Sequence, residues 1–211
     1  MNEINPERSH ADLPCTWQSS QLCQDCDLAS QLMCRYEQRD LIRFLLMFFP
    51  FGAIVIAGVV LAGYGWYLVG WAAYALFFFF VWEARVLCRH CPFWAEESSV
   101  LHCHANYGVI KIWSYDPRPM SRSEKVQFTL GALILGLYPF PFMLLGGQYL
   151  LAALSLAVAI LFVAFLRRRE CSRCIHFSCP ANTVPKSRVD AYLRRNPEMR
   201  SAWEESGYKL G

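Results

Sequence analysis

Residues 44–82 read FLLMFFPFGAIVIAGVVLAGYGWYLVGWAAYALFFFFVW, and no lysine, arginine, aspartate or glutamate interrupts them. A helix of about 20 apolar residues is long enough to cross a hydrocarbon layer about 30 Å thick. The sequence GYG divides the stretch into two runs, residues 44–62 and 66–82, that reach or approach this length. We therefore predict two membrane-spanning helices joined by a short turn.

A second pair of apolar runs follows at residues 126–145 and 149–166, joined by the sequence GGQ. Ser121 and Glu124 precede the third run with the spacing of a helix-capping box. Soluble helices normally show a polar face and these four runs do not, so a buried soluble bundle is the weaker alternative. The sequence thus predicts an all-α integral membrane protein with four transmembrane helices in two hairpins.

Basic residues are confined to one side of this predicted bundle. All 20 lysines and arginines lie before the first run, between the second and third, after the fourth, or at the run ends that border these segments. Cytoplasmic loops of membrane proteins carry such an excess, which predicts a multi-pass protein of the cell membrane with both termini in the cytoplasm. The bilayer is the expected partner, and no nucleic acid is expected, because the basic residues that flank the runs fit topology signals and anionic lipid.

The three polar segments hold all ten cysteines. The predicted organisation is an N-terminal cysteine module (1–40), a hairpin (41–87), a cysteine and histidine loop (88–125), a second hairpin (126–166), and a C-terminal cysteine module with a helical tail (167–211). Because each hairpin returns the chain to the same side, we expect the modules to meet in one cytoplasmic cap. The repeated CxxC pairs around the hairpins suggest an internal duplication.

Reduced cysteine pairs near histidines usually bind metal or carry out thiol chemistry in the cytoplasm. The N-terminal module offers four cysteines, and each of the other two offers three cysteines beside a histidine. These numbers match three tetrahedral zinc sites, and zinc is the ion that we favour. The predicted metal ligands are Cys15, Cys23, Cys26, Cys34, Cys88, Cys91, Cys103, His104, Cys171, Cys174, His176 and Cys179.

Iron–sulfur clusters and free redox thiols remain open alternatives to zinc. The stretch CSRCIHFSCP at residues 171–180 resembles the ligand run of bacterial ferredoxins, although it lacks the third cysteine of that run. A [4Fe–4S] cluster would therefore need another ligand, from Cys103 or from the first module. His102 and His104 flank Cys103, and in an extended chain both would point away from its thiol.

Function is less constrained than topology. We expect a structural or interaction subunit of a membrane complex. One alternative is an iron–sulfur protein that passes electrons between a soluble redox partner and a quinone near Trp82, Trp94 and Trp113. Another is a metal-organised membrane enzyme acting on lipid. The sequence contains no P-loop, GxGxxG, HExxH or GxSxG motif, which disfavours nucleotide binding, zinc proteolysis and serine hydrolysis but leaves enzymatic activity undecided.

Two further features carry expectations. Arg43 and Glu83 lie near the ends of the first two runs, and we expect them to pair with each other or to reach the interface. The tail should form two short helices that dock on the protein itself. Ser187 with Asp190 would cap the first, and Asn196 would cap the second with Pro197 as its first residue.

Overall fold

The computed structural model describes residues 14–17 and 23–211 of the 211-residue chain. Within these ranges the structure is helical, and the single isolated β-bridge pairs Val100 with Ile110 in antiparallel orientation. The α-helices are α1 (Gln38–Leu61), α2 (Tyr67–Phe77), α3 (Glu83–Val86), α4 (Arg122–Leu137), α5 (Phe140–Leu145), α6 (Tyr149–Phe165), α7 (Lys186–Arg194) and α8 (Pro197–Glu205).

Four helical stretches are long and apolar enough to cross a membrane, as the sequence predicts. We call them span 1 (Gln38–Leu61), span 2 (Tyr67–His90), span 3 (Arg122–Leu145) and span 4 (Tyr149–Glu170). Little of each span is buried, and the exposed side chains include large apolar ones such as Leu46, Phe49 and Leu161. A face of this kind suits contact with lipid rather than water. The prediction of a multi-pass membrane protein is therefore supported.

The closest helix packing joins spans from different predicted hairpins. Span 1 runs along span 4, where the ring centroids of Phe44 and Phe162 lie 5.7 Å apart. Span 2 lies against span 3, where the indole Nε1 of Trp71 donates a hydrogen bond to the Leu135 carbonyl at 2.8 Å. Two helix pairs thus form, span 1 with span 4 and span 2 with span 3, and a space remains between them.

The turns between consecutive spans meet at the end of the bundle. Gly63 and Gly147 adopt φ values of 82° and 73°, a region that glycine enters readily and other residues rarely adopt. A Cβ atom on Gly146 would lie 2.6 Å from the Ala62 Cα. The glycines of GYG and GGQ therefore allow both the turns and their contact.

At the end of the bundle opposite to these turns, the spans carry two distinctive features. Span 3 begins with the predicted capping box, in which the Glu124 amide donates to Ser121 Oγ at 3.2 Å and the Ser121 amide donates to Glu124 Oε2 at 2.8 Å. Spans 2 and 4 each contain a π-helical turn, Phe78–Trp82 and Leu166–Glu170. Both π turns lie shortly before a CxxC pair, so they set the direction in which those cysteines leave the bundle.

The polar segments fold together into a cap at this end, made of residues 14–17, 23–37, 88–121 and 171–211. They share one hydrophobic core. Its buried members come from each of the three polar segments and include Leu32, Phe93, Leu101, Ile175 and Tyr192. The helices α7 and α8 belong to this core through Leu193 and Met199, so the tail docks on the protein itself as expected.

The first tail helix begins differently from the prediction. It starts at Lys186 after Pro185, which places Ser187 inside the helix and makes the predicted Ser187–Asp190 cap wrong. Asp190 instead accepts hydrogen bonds from the Tyr208 hydroxyl and from Lys186 Nζ, both at 2.7 Å. The carboxylate therefore ties α7 to the chain end that follows α8.

The second tail helix begins at Pro197 after Asn196, as predicted, but the Asn196 side chain does not cap it. Its Oδ1 accepts a hydrogen bond from the Cys15 amide at 2.6 Å, and its Nδ2 donates to the Tyr192 carbonyl at 2.7 Å. These partners are buried beneath the N-terminal segment, where an unpaired amide would be costly. Asn196 thus links the tail to the first cysteine module.

Candidate cofactor site

A cavity of about 410 Å³ lies where the four spans meet the cap. At the end nearer the cap, which we call the thiol end, its wall holds the side chains of Cys88, Cys91, Cys103, Cys171, Cys174 and Cys179. At the other end, inside the bundle, the wall is aromatic and includes Phe44, Phe48, Phe51, Trp71, Phe78, Phe128 and Phe162. We call this the aromatic end. The cavity therefore joins a sulfur-rich surface to an apolar one.

Tight turns present the cysteines of the thiol end. Residues Cys88–His90 form a 3₁₀ turn in which the Cys91 amide donates to the Cys88 carbonyl at 2.9 Å. The Cys179 amide donates to the His176 carbonyl at 3.2 Å in a second turn. A turn with two cysteines three residues apart can direct both thiols to one side, which is why CxxC is common in metal sites.

Hydrogen-bond donors surround these sulfur atoms. Asn106 Nδ2 donates to Cys88 Sγ at 3.7 Å, and the His176 amide donates to Cys174 Sγ at 3.5 Å. Backbone amides also hydrogen-bond the sulfurs of Cys91, Cys103 and Cys179. Donors of this kind stabilise the thiolate form, which is the form that binds metal.

Burial acts against the thiolate at the same positions. It raises the pKa of Cys91 and Cys174 well above the usual value, and it raises the pKa of Cys179 to about 11. Neighbouring thiols add to the shift, since a second negative charge nearby disfavours ionisation. A cation is the natural partner for such a set of thiols, and its binding would release protons.

His176 has one ring nitrogen available toward the cavity. Its Nε2 lies 2.9 Å from the Leu87 carbonyl, which can only accept, so Nε2 carries the proton. Its Nδ1 is buried and has no hydrogen-bond partner among the described residues. Burial lowers the pKa of His176 to about 4, so the ring is neutral at physiological pH. A neutral imidazole fixed by a carbonyl is a common arrangement of metal-ligating histidines.

The other histidines of the loop differ from one another. His104 is buried and lines the cavity beside Cys103, whereas His102 is turned away with Nδ1 2.7 Å from a Glu96 carboxylate oxygen. The chain bends at His104 instead of running extended, so the extended arrangement, in which both histidines point away from the Cys103 thiol, does not apply. His90 contacts the Arg118 carbonyl and a Glu124 oxygen, so contacts within the protein already occupy both of its ring nitrogens.

Two buried carboxylates, those of Glu83 and Glu170, also line the cavity. Arg43 Nε donates to Glu170 Oε1 at 2.9 Å, and Arg43 Nη2 donates to Asp40 Oδ1 at 2.6 Å. Of the two arrangements expected for Arg43 and Glu83, pairing with each other is not found, since Glu170 supplies a carboxylate to Arg43 from span 4. The second oxygens of Glu83 and Glu170 are buried without a hydrogen-bond partner among the described residues.

Cys15, Cys23, Cys26 and Cys34 form a separate group, which we call the outer group, away from this cavity. Burial raises the pKa of Cys34 to about 12, with smaller contributions from the other three thiols, which shows that the four lie close together. Asn196 Nδ2 donates to Cys15 Sγ at 3.5 Å. A second cavity of about 500 Å³ adjoins the group and is lined by Cys23, Cys34, Arg35, Arg39, Arg43 and Arg173, among others.

The structure thus brings the predicted ligands into two sets. The central and C-terminal cysteines share the thiol end with His104 and His176, and the N-terminal cysteines form the outer group. Within residues 14–17 and 23–211, no three histidine, cysteine or acidic side chains converge tightly enough to hold a single metal ion. The predicted zinc sites therefore remain a prediction.

The predicted ligand set did not include two polar residues of the site, Glu170 and Asn106. Glu170 follows three consecutive arginines, and its signal was its position directly before Cys171 at the end of an apolar run. Asn106 lies in an irregular loop, and no pattern indicated that it would reach Cys88. Trp82, Trp94 and Trp113, where the iron–sulfur alternative placed a quinone, do not line the cavity, whereas Trp71 does.

The fold and site define a class, namely multi-pass membrane proteins with four candidate spans and a cysteine-rich cap. Comparison with protein-family models, curated proteins and solved structures finds no significant match to this chain. Inferences about function therefore start from the site alone.

Proposed function

We propose that the thiol end binds an iron–sulfur cluster and that the protein transfers electrons between a soluble donor and an acceptor in the membrane. The observation that carries this proposal is the arrangement of six thiols around one cavity. In a zinc site four ligands converge on one ion, with sulfur about 2.3 Å from the metal, and little space remains between them. A cluster of iron and sulfide ions fills a larger volume, which supports a cluster rather than a single ion between the six thiols.

The residues of the thiol end fit such a cluster. A [4Fe–4S] cluster takes four cysteine thiolates, and Cys171, Cys174 and Cys179 supply three within the ferredoxin-like run. Cys103 lines the same cavity and can supply the fourth. When bound, a cluster provides one-electron transfer, and its potential depends on burial and on hydrogen bonds to sulfur. The His176 amide that donates to Cys174 would act on that potential.

Anaerobic purification in detergent tests the proposal. We expect a brown protein with broad visible absorbance and with iron and acid-labile sulfide in equal amounts. Cys174→Ser with Cys179→Ser should remove the iron assigned to the thiol end. A colourless preparation with zinc and without iron would contradict the cluster and favour the second candidate.

Zinc is the second candidate because of one specific geometry. His176 Nδ1 is buried and unpartnered among the described residues, and Nε2 is fixed on the Leu87 carbonyl. With Cys171, Cys174 and Cys179 it would complete a three-cysteine, one-histidine site of the kind that stabilises small domains. In that case the cap would serve as a structural or interaction module of a membrane complex.

We place the cap in the cytoplasm on the basis of charge. The 20 basic residues are confined to the polar segments and the adjoining span ends, a distribution typical of the cytoplasmic side. A thiol reagent that cannot cross membranes should label the outer group in inverted membrane vesicles and leave it unlabelled in intact cells. Labelling in intact cells would reverse the orientation.

A further inference from the structure

The aromatic end of the cavity lies within the bundle and holds none of the proposed cluster ligands. All four spans contribute to it, for example through Phe48, Trp71, Phe128 and Phe162. A concave, mostly apolar site with a few polar groups is the usual form of a small-molecule pocket. Aromatic walls of this kind suit a planar ring, because offset and edge-to-face ring contacts are favourable.

Two polar atoms interrupt the apolar wall. Glu83 Oε2 and Glu170 Oε2 are buried, line the same cavity, and lack a hydrogen-bond partner among the described residues. A buried carboxylate oxygen left unpaired is destabilising, so these atoms call for a donor. An acyl chain would leave both unsatisfied. A ligand that satisfies them must bring hydrogen-bond donors as well as apolar surface.

The order of residues along span 2 places the Glu83 carboxylate between the aromatic end and the thiol end of the cavity. Phe78, Glu83 and Cys88 follow one another at five-residue intervals, each equivalent to roughly 7–8 Å along a helix. On span 4, Phe162 likewise precedes Glu170 and Cys171. A ring held among the aromatic side chains would therefore have its polar groups at the carboxylates and its edge facing the thiol end.

We infer that the aromatic end binds a membrane hydroquinone, whose hydroxyl groups donate to Glu83 and Glu170. The two hydroxyls of a hydroquinone point in opposite directions from the ring, and the two acceptors come from spans 2 and 4, which belong to different helix pairs. The apolar tail would leave between the helix pairs into the lipid. The inference rests on the proposed function for its purpose, since a hydroquinone is the reduced form that a membrane quinone acceptor takes after electron transfer, but binding itself requires no cluster.

Calorimetric titration of the detergent-solubilised protein with decylubiquinol tests this inference. The wild-type protein should bind the probe saturably. Glu83→Leu removes one acceptor and should weaken binding about tenfold. Ala159→Trp should abolish binding, because Ala159 lines the cavity and the indole would fill the aromatic end. Ala157→Trp is the matched control, because Ala157 is exposed on the lipid side of the same helix, and it should bind like the wild type.

Iron and sulfide measured on the same samples separate this inference from the proposed function. Equal binding by Ala159→Trp and Ala157→Trp would overturn the hydroquinone site even if iron is present. A phospholipid found in the cavity by mass spectrometry and not displaced by decylubiquinol would also overturn it. Saturable binding that Ala159→Trp abolishes would support the site even in a protein that holds zinc instead of iron.

Discussion

The thiol end and the outer group are both clusters of cysteines, but they differ in their surroundings. Apolar spans and the cap core enclose the six thiols of the thiol end. The outer group adjoins a polar cavity lined by four arginines at the cap surface. The burial of a metal centre and its access to solvent largely determine which partners can exchange electrons with it. In the proposed function the outer group therefore faces a soluble partner, and the thiol end faces the membrane.

The largest expected effect comes from removing a cysteine pair of either group. Cys174→Ser with Cys179→Ser should eliminate the metal of the thiol end and expose the cap to protease, because both side chains line the cavity and are proposed cluster ligands. The spans should remain inserted. Cys23→Ser with Cys26→Ser is the matched variant, and it should retain the metal of the thiol end.

Metal analysis and limited proteolysis of the two variants check this difference. If both double variants lose the same metal to the same extent, the two groups act as one site. Normal metal content and unchanged protease resistance in Cys174→Ser with Cys179→Ser would refute a cofactor at the thiol end.

Arg43 lies between the two cavities, since it lines the arginine-rich cavity and donates to Glu170. Arg43→Met should lower the thermal unfolding midpoint in detergent by about 5 °C, because it leaves the buried Glu170 carboxylate without a counter-charge. Arg39→Met is the control on the same helix. Arg39 pairs with Glu37 at the surface, so its loss should shift the midpoint little. Equal shifts would show that the buried pair contributes no more than the exposed one.

Asn106 supports the thiol end without being a proposed ligand. Its Nδ2 donates to the Phe79 carbonyl at 3.1 Å and to Cys88 Sγ at 3.7 Å. Asn106→Leu should keep the fold and reduce metal retention against a chelator roughly tenfold, as loss of an outer hydrogen bond commonly does. Asn196→Leu loses the equivalent contact to Cys15 and should affect the outer group instead. Retention of all metal by Asn106→Leu would show that this contact does not act on the thiol end.

The smallest effect concerns the tail that supports the outer group. Burial raises the pKa of Asp190, but hydrogen bonds from Lys186, Tyr208 and the Gly211 amide outweigh it, so the pKa lies below its usual value. Asp190→Asn should cost about 1 kcal/mol of unfolding free energy at neutral pH.

The same variant has a defined pH dependence. Because the folded-state pKa lies below the unfolded value of about 3.9, the stabilisation by Asp190 is complete above that pH and is lost as the pH falls through the folded-state pKa. The difference in unfolding free energy between wild type and Asp190→Asn should therefore be smaller at pH 3 than at pH 7. A difference that is the same at both values would contradict an ionised acceptor.

The spans could be predicted from the sequence because their composition alone satisfies the requirement for crossing a membrane. The start of span 3 was equally predictable, since Ser121 and Glu124 interact within a single turn. The pairing of span 1 with span 4 could not be predicted, because apolar faces such as those of Phe44 and Phe162 are chemically interchangeable with others. Packing of side chains, rather than pattern, decides which helices meet.

The candidate site was predictable only in its chemistry. The spacing of the cysteines identified them as candidate ligands. Which modules share a cavity depends on long-range contacts, which spacing does not indicate. A bend in the chain lets His104 line the same cavity as Cys103, and no local sequence signal indicates that bend. Glu170 contacts Arg43 although 127 positions separate them in the sequence. Local sequence patterns do not indicate contacts over such a separation.

The π-helical turns at Phe78–Trp82 and Leu166–Glu170 make the chain sensitive to its residue count. Each residue of an α-helix advances about 100° around the axis. Deleting one residue from either turn would rotate Cys88 or Cys171 by more than a quarter of a revolution while leaving the hydrophobic length almost unchanged. Substitutions that keep the residue count can thus be tolerated at turn positions whose side chains do not contact the site, whereas an insertion or deletion there would yield a bundle that still inserts but no longer assembles its sulfur-lined wall.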